Sequence, residues 1–163
     1  MATWEVKEGT SGGLSDRDRR TLDRARAIAA KQLTRLRSEP YCSPGAVKEV
    51  VADLFIGLSH EVFMVIMCDV RHRPMSVYQL EGTLDGCSVY PREVAKRCLL
   101  SDCATVFLAH NHPSGDPSPS AADKAITRRL QEALALFEVK VLDHIIVGHP
   151  GEPALSFAEQ GLL

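Results

Sequence analysis

An α/β sandwich built around one mixed sheet is the fold class this sequence predicts, on three observations. Helical periodicity dominates up to Leu58, the pattern then changes to the continuous apolar run Glu61–Asp69, and helical and strand-like segments alternate irregularly from there on. A run without polar interruption reads as a strand covered on both faces, and irregular alternation suits helices laid over a sheet whose strands run both ways.

The chain has 163 residues, enough for one domain that buries roughly 70% of its unfolded surface. Its 45% hydrophobic and 25% charged content is ordinary for a globular protein, and a net charge of -2 gives no global pull toward nucleic acid or membrane. No apolar run approaches the length of about 20 that crosses a bilayer, and the start, MATWEVKEGTSGG, lacks the basic-then-apolar pattern of a signal peptide. The five cysteines (Cys42, Cys68, Cys87, Cys98 and Cys103) include no CxxC pair. Reduced, mostly buried thiols in the cytoplasm are therefore expected, with no membrane association.

Residues 1–14 read as a loose tail. Ser15-Asp16 caps a helix running to about Arg37, with Leu22, Ala25, Ala29, Leu33 and Leu36 as its apolar stripe. Between Asp16 and Glu39 stand eight Arg/Lys and four Asp/Glu, a local charge of +4. That face reads either as a solvated surface or as a contact for nucleic acid or protein. The connection Ser38–Ser43 divides the chain into an N-terminal tail and arginine-rich helix, 1–42, and a main domain, 43–163. Ser43-Pro44 starts a second helix, which carries Val47, Val50, Val51, Leu54, Phe55 and Leu58 to an end near Gly57-Leu58.

After the central strand, Arg71–Pro74 turns the chain and Met75–Leu80 alternates as a second, antiparallel strand would. Gly82, Asp85 and Gly86 punctuate the stretch that follows. Pro91–Leu100 reads as a helix with Val94, Ala95, Cys98 and Leu99 on one side. Thr105–Ala109 reads as a buried strand. A helix from Ser120 to near Glu138 carries Ala122, Ala125, Ile126, Arg129, Ala133, Leu134 and Phe137. Val139–Leu142 and Ile145–Val147 form one strand, Gly148–Pro153 turns, and Ala154–Phe157 closes a hairpin.

The chemistry concentrates in HNHPSGDPSPSAAD, His110 to Asp123. At a strand's end, residues i and i+2 share a side, so His110 and His112 can aim at one point. Pro113, Gly115, Pro117 and Pro119 force a loop, and Asp123 falls on the first turn of the next helix. Two imidazoles and a carboxylate are the three protein ligands of a catalytic zinc site that keeps a fourth position for water. Ser120-Ala-Ala-Asp123 also fits a capping box, and the two readings are compatible.

The pattern His110-x-His112-x7-Ser120-x2-Asp123 resembles the JAMM (MPN+, JAB1/MPN/Mov34) metalloprotease motif. The surrounding HNHPSGDPSPS, with Pro91-Arg92-Glu93 before it and LDHIIVG (142–148) after it, resembles the RadC branch of that superfamily. The ending SFAEQGLL is similar to short RadC-like proteins often encoded in prophages. The resemblance covers about residues 45–163. It implies a JAMM/MPN-like, cytidine-deaminase-like mixed sheet sandwiched by helices, here with an N-terminal helical appendage. Longer members carry a helix-hairpin-helix domain ahead of this one, for which this chain has no room.

By the resemblance, His110, His112 and Asp123 bind Zn2+, Glu61 acts as general base and Ser120 helps hold the oxyanion. The implied activity is hydrolysis of a peptide or isopeptide bond in a protein or peptide substrate. Glu81 is the fallback for Glu61, which on its own chemistry also reads as an exposed residue where a strand begins. The alternative is a nucleic-acid-associated protein of DNA repair or recombination, contacting DNA through the arginine-rich helix, with a structural metal. Asp143 and His144 read as support for the site, His60, His72 and His149 as solvated turn residues, and Cys103 as packing.

Overall fold

The structure, a computed structural model, describes residues 15–36, 44–81 and 89–163. The expected tail, the Ser38–Ser43 connection, the Gly82–Gly86 punctuation, Cys42 and Cys87 lie outside the described residues. The elements run α1 (Asp16–Leu36), α2 (Pro44–Leu54), β1 (Val62–Cys68), β2 (Pro74–Glu81), α3 (Pro91–Leu100), β3 (Thr105–Asn111), α4 (Ala121–Ala135), β4 (Lys140–Val147) and β5 (Leu155–Ser156). The strands form one mixed sheet in the order β2-β1-β3-β4-β5. β1 is antiparallel to both β2 and β3, β3 and β4 run parallel, and β5 returns antiparallel on β4. α4 is the crossover that a parallel pair requires.

The period of two in β1 explains the layers. Val62, Met64, Ile66 and Cys68 join Val47, Val51 and Leu54 of α2 in one core. Phe63, Val65 and Met67 join Val94 and Cys98 of α3 and Leu130 and Leu134 of α4 in the other. Every residue of β1 and β3 is buried, as the unbroken apolar runs predict. Cys68, Cys98 and Cys103 are buried. Among the described residues no helix is long and apolar enough to cross a membrane.

Several expectations need correction. α2 stops at Leu54, and a turn closes over Phe55–Gly57, with Gly57 at φ 74°. A Cβ there would lie 2.6 Å from Leu22, so this turn seats α1. α4 ends at Ala135. Of the side chains named for it above, Leu134 is buried and Ile126 packs on the core, while Asp123, Thr127 and Leu130 complete the buried face. Phe137 is 45% and Leu99 55% exposed. The inward face of α4 is polar in its first half, where it meets the site described below.

One irregularity positions that site. Val106 pairs with Val141 and Phe107 with Asp143, so Leu142 is an extra residue in β4. A one-residue slip exchanges the two faces of a strand. It turns His144, paired with Leu108, toward α4, and leaves Ile145 and Val147 in the core beneath α2. Asp143 is fully buried. Its carboxylate accepts from the amides of His144 (2.7 Å) and Ala158 (2.9 Å) and the hydroxyl of Ser156 (2.5 Å), tying β4 to the C-terminal turn.

Candidate metal centre

His110 shares the face of β3 that carries Val106 and Leu108, so its ring is aimed at the first turn of α4. His112 lies one residue beyond the strand, where its amide still donates to the Val147 carbonyl (2.9 Å). The Nε2 atoms of the two histidines are 2.9 Å apart. Asp123 brings Oδ1 to 3.1 Å from His110 Nε2 and Oδ2 to 3.4 Å from His112 Nε2. His110, His112 and Asp123 thus each offer one ligand atom within 4.8 Å of the others, a group that could hold a metal ion.

Each ligand is held from behind. Ser120 caps α4 and its hydroxyl accepts from the Asp123 amide (3.1 Å). Asp123 Oδ2 in return accepts from the Ser120 amide (2.7 Å) and hydroxyl (2.6 Å). The capping box and the ligand are therefore one structure. His112 Nδ1 lies 2.7 Å from the Asp116 carbonyl, to which it donates, leaving Nε2 toward the centre. The loop making that contact turns at Gly115, φ 87°, where a Cβ would lie 2.1 Å from His149 Nε2. His149 is exposed in a turn, as expected, with its ring against Gly115 of the loop. His110, stacked on Phe63, has Nδ1 2.8 Å from His144 Nε2. His144 Nδ1 lies 2.6 Å from Thr127 Oγ1, and the Thr127 hydroxyl donates to the Asp123 carbonyl (2.6 Å).

The electrostatics fit a cation. Burial works against a charged Asp123, yet the neighbouring His110 and His112 imidazoles and the Ser120 hydroxyl outweigh it and hold the carboxyl well below its usual range. The Asp123 carboxylate raises the His112 pKa against partial burial, with the Asp116 carbonyl and the charge of Glu61 adding to it. Burial lowers His144 far below the histidine range, so it is neutral. With its Nδ1 donating, a neutral His112 turns an Nε2 lone pair toward His110 and the carboxylate, at separations of 2.9 and 3.4 Å. A proton or a cation relieves that crowding, and imidazole nitrogen with carboxylate oxygen is a donor set that zinc accepts.

Glu61 directly precedes β1 and is partly buried, near enough for its charge to act on His112. Asn111, between the two histidines, faces the opposite way. Its Oδ1 accepts from the Val62 amide (2.8 Å) and its Nδ2 donates to the His60 carbonyl (3.0 Å), holding the backbone on both sides of Glu61. Glu81 ends β2 opposite Val62, and its side chain is outside the described residues. Asn111 and Thr127 were not singled out by the sequence reading. The available signals were an amide between two candidate ligands and a hydroxyl one helical turn beyond the third.

Fold and site together define a mixed α/β domain with a three-residue candidate metal centre at the end of its parallel strand pair. The RadC-like JAB domain family matches residues 41–162, and the chain belongs to that family. Its sheet and helices are those of a JAB/MPN-like fold. It is 44% identical over 166 residues to a UPF0758 protein of Methylibium petroleiphilum, covering 100% of this chain and 74% of that one. A UPF0758 protein of Vibrio cholerae is 42% identical over 147 residues, 90% of each chain. One of Azotobacter vinelandii is 52% identical over 131 residues, 79% of this chain and 58% of the relative. The chain spans about half the length of several curated relatives it matches.

The ligand pKa shifts set a pH dependence for the metal-free protein. Asp123, lowered from 3.8, stabilises the fold above that value and ceases to as pH falls through its folded pKa. His112, raised from 6.5, stabilises the fold below 6.5 and ceases to as pH rises through its folded pKa. Thermal unfolding without metal should therefore peak at weakly acidic pH, and His112→Gln should flatten the alkaline limb. An alkaline limb unchanged by that substitution would contradict the assignment.

Proposed function

We propose that this chain is a zinc-dependent metallopeptidase of the JAMM type, hydrolysing a peptide or isopeptide bond of a protein or peptide substrate. The observation that carries it is the convergence of His110 Nε2, His112 Nε2 and the Asp123 carboxylate, with the charge of Glu61 acting on His112. A zinc ion held there would supply Lewis acidity and would lower the pKa of a bound water to about 7. Iron or manganese also suits this donor set.

His110, His112 and Asp123 hold the metal in this reading. Glu61, on backbone anchored by Asn111, takes a proton from the attacking water and returns it to the leaving amine. Ser120 orients Asp123 in the resting state. Its assistance to an oxyanion requires the hydroxyl to swing away from Oδ2 as negative charge develops on the substrate. Residues 43–163 form the catalytic domain and 1–42 an appendage. An odd set of five cysteines with no CxxC pair supports a reducing compartment such as the cytoplasm.

Metal analysis and hydrolysis of a fluorogenic peptide mixture test this. The purified chain should hold about one zinc, and His112→Ala should lose it. Glu61→Gln should keep the metal and lose roughly 10²–10⁴-fold in rate. Full metal content in His112→Ala, or undiminished hydrolysis in Glu61→Gln, would remove the proposal.

A second reading is favoured by α1, whose Arg17, Arg19, Arg20 and Arg24 are exposed. A nucleic-acid-associated role in repair or recombination would use this helix on phosphates, with the metal structural. Duplex DNA should then bind with an affinity that falls steeply with salt and vanishes when the four arginines are reversed to glutamate. No binding at low salt would end this reading.

A further inference from the structure

We infer that Thr127, acting through His144, fixes the imidazole tautomer in which His110 presents Nε2 to a metal ion. The inference rests on the reading of His110 as a ligand and adds a positioning residue behind it.

The argument follows single protons. The Thr127 hydroxyl has one hydrogen and two neighbours at 2.6 Å, the Asp123 carbonyl and His144 Nδ1. A carbonyl can only accept, so the hydrogen lies on that side. If it turned to His144, two oxygens carrying only lone pairs would face each other at 2.6 Å. Thr127 Oγ1 is therefore an acceptor toward His144, which must carry its proton on Nδ1. A neutral imidazole protonated on Nδ1 has a lone pair on Nε2. That lone pair, 2.8 Å from His110 Nδ1, makes His110 the donor and leaves His110 Nε2 bare.

The circuit closes on the residue where it starts. It leaves the Asp123 carbonyl and returns to its carboxylate, since His110 Nε2 lies 3.1 Å from Asp123 Oδ1. Thr127 is 1%, His110 1% and His144 0% exposed, so no solvent is at hand to reverse the polarity. His112 reaches the same tautomer by a separate route, through the Asp116 carbonyl. One ligand thus depends on the loop and the other on α4.

Thr127→Val keeps the shape and removes the acceptor. A buried Nδ1–H would then lack a partner, so His144 should carry its proton on Nε2 instead. That proton would point at His110 Nδ1 and drive the His110 proton to Nε2, where it competes with the metal. Loss of such a supporting contact typically costs 10–100-fold in metal affinity.

The test uses the full chain, with zinc ion as the probe in chelator competition at fixed pH, and long-range 1H–15N spectra of the metal-free protein to read the His144 tautomer. Thr127→Val should bind zinc 10–100-fold more weakly, Thr127→Ser should restore affinity, and wild-type His144 should appear as the Nδ1–H tautomer. Wild-type affinity in Thr127→Val, or an Nε2–H tautomer in the wild type, overturns the inference. If Thr127→Val does not fold, the wild-type spectrum and the affinity of Thr127→Ser decide. A wild-type chain that takes up no zinc, with His112→Ala no different, overturns the metal reading instead, and the spectrum still tests the proton order.

Discussion

The crowding of His110 Nε2, His112 Nε2 and the Asp123 carboxylate into a space of a few ångströms is the constraint on which the site depends. Left to themselves these groups repel one another when neutral or negative. The surrounding structure holds them together by committing every other polar atom of the three side chains. The Ser120 amide and hydroxyl take Asp123 Oδ2, the Asp116 carbonyl takes His112 Nδ1, and His144 takes His110 Nδ1. What remains is lone pairs directed inward, the condition under which the three side chains could hold a divalent cation.

Fold and site are therefore the same interactions viewed at two scales. The hydrogen bonds that start α4 also orient a ligand. The extra residue in β4 keeps apolar side chains under α2 and delivers His144 to the opposite face. Asn111 ends the pairing of β1 with β3 and, in doing so, anchors the backbone on either side of Glu61. A substitution at any of these positions would disturb stability and the geometry of the candidate centre together.

Much of this was legible in the sequence. The unbroken apolar runs marked β1 and β3, and the spacing of His110, His112, Ser120 and Asp123 marked the cluster, because strand ends and helix caps obey short-range rules. The β4 bulge at Leu142 was not legible, since Val139–Leu142 and Ile145–Val147 read as one regular strand across Asp143-His144. The inward face of α4 was misjudged for a related reason. An apolar-stripe rule cannot select a face bearing Asp123 and Thr127, whose burial is compensated by partners on β3 and β4. Thr127 and Asn111 became visible only when the partners of their side chains were known.

X-ray absorption at the zinc edge of the zinc-loaded chain tests the central claim most directly. A first shell of nitrogen and oxygen at about 2.0–2.2 Å, with imidazole scattering from two histidines, is the predicted result. A sulfur shell at about 2.3 Å would place the metal on the cysteines and contradict it, as would a shell without imidazole.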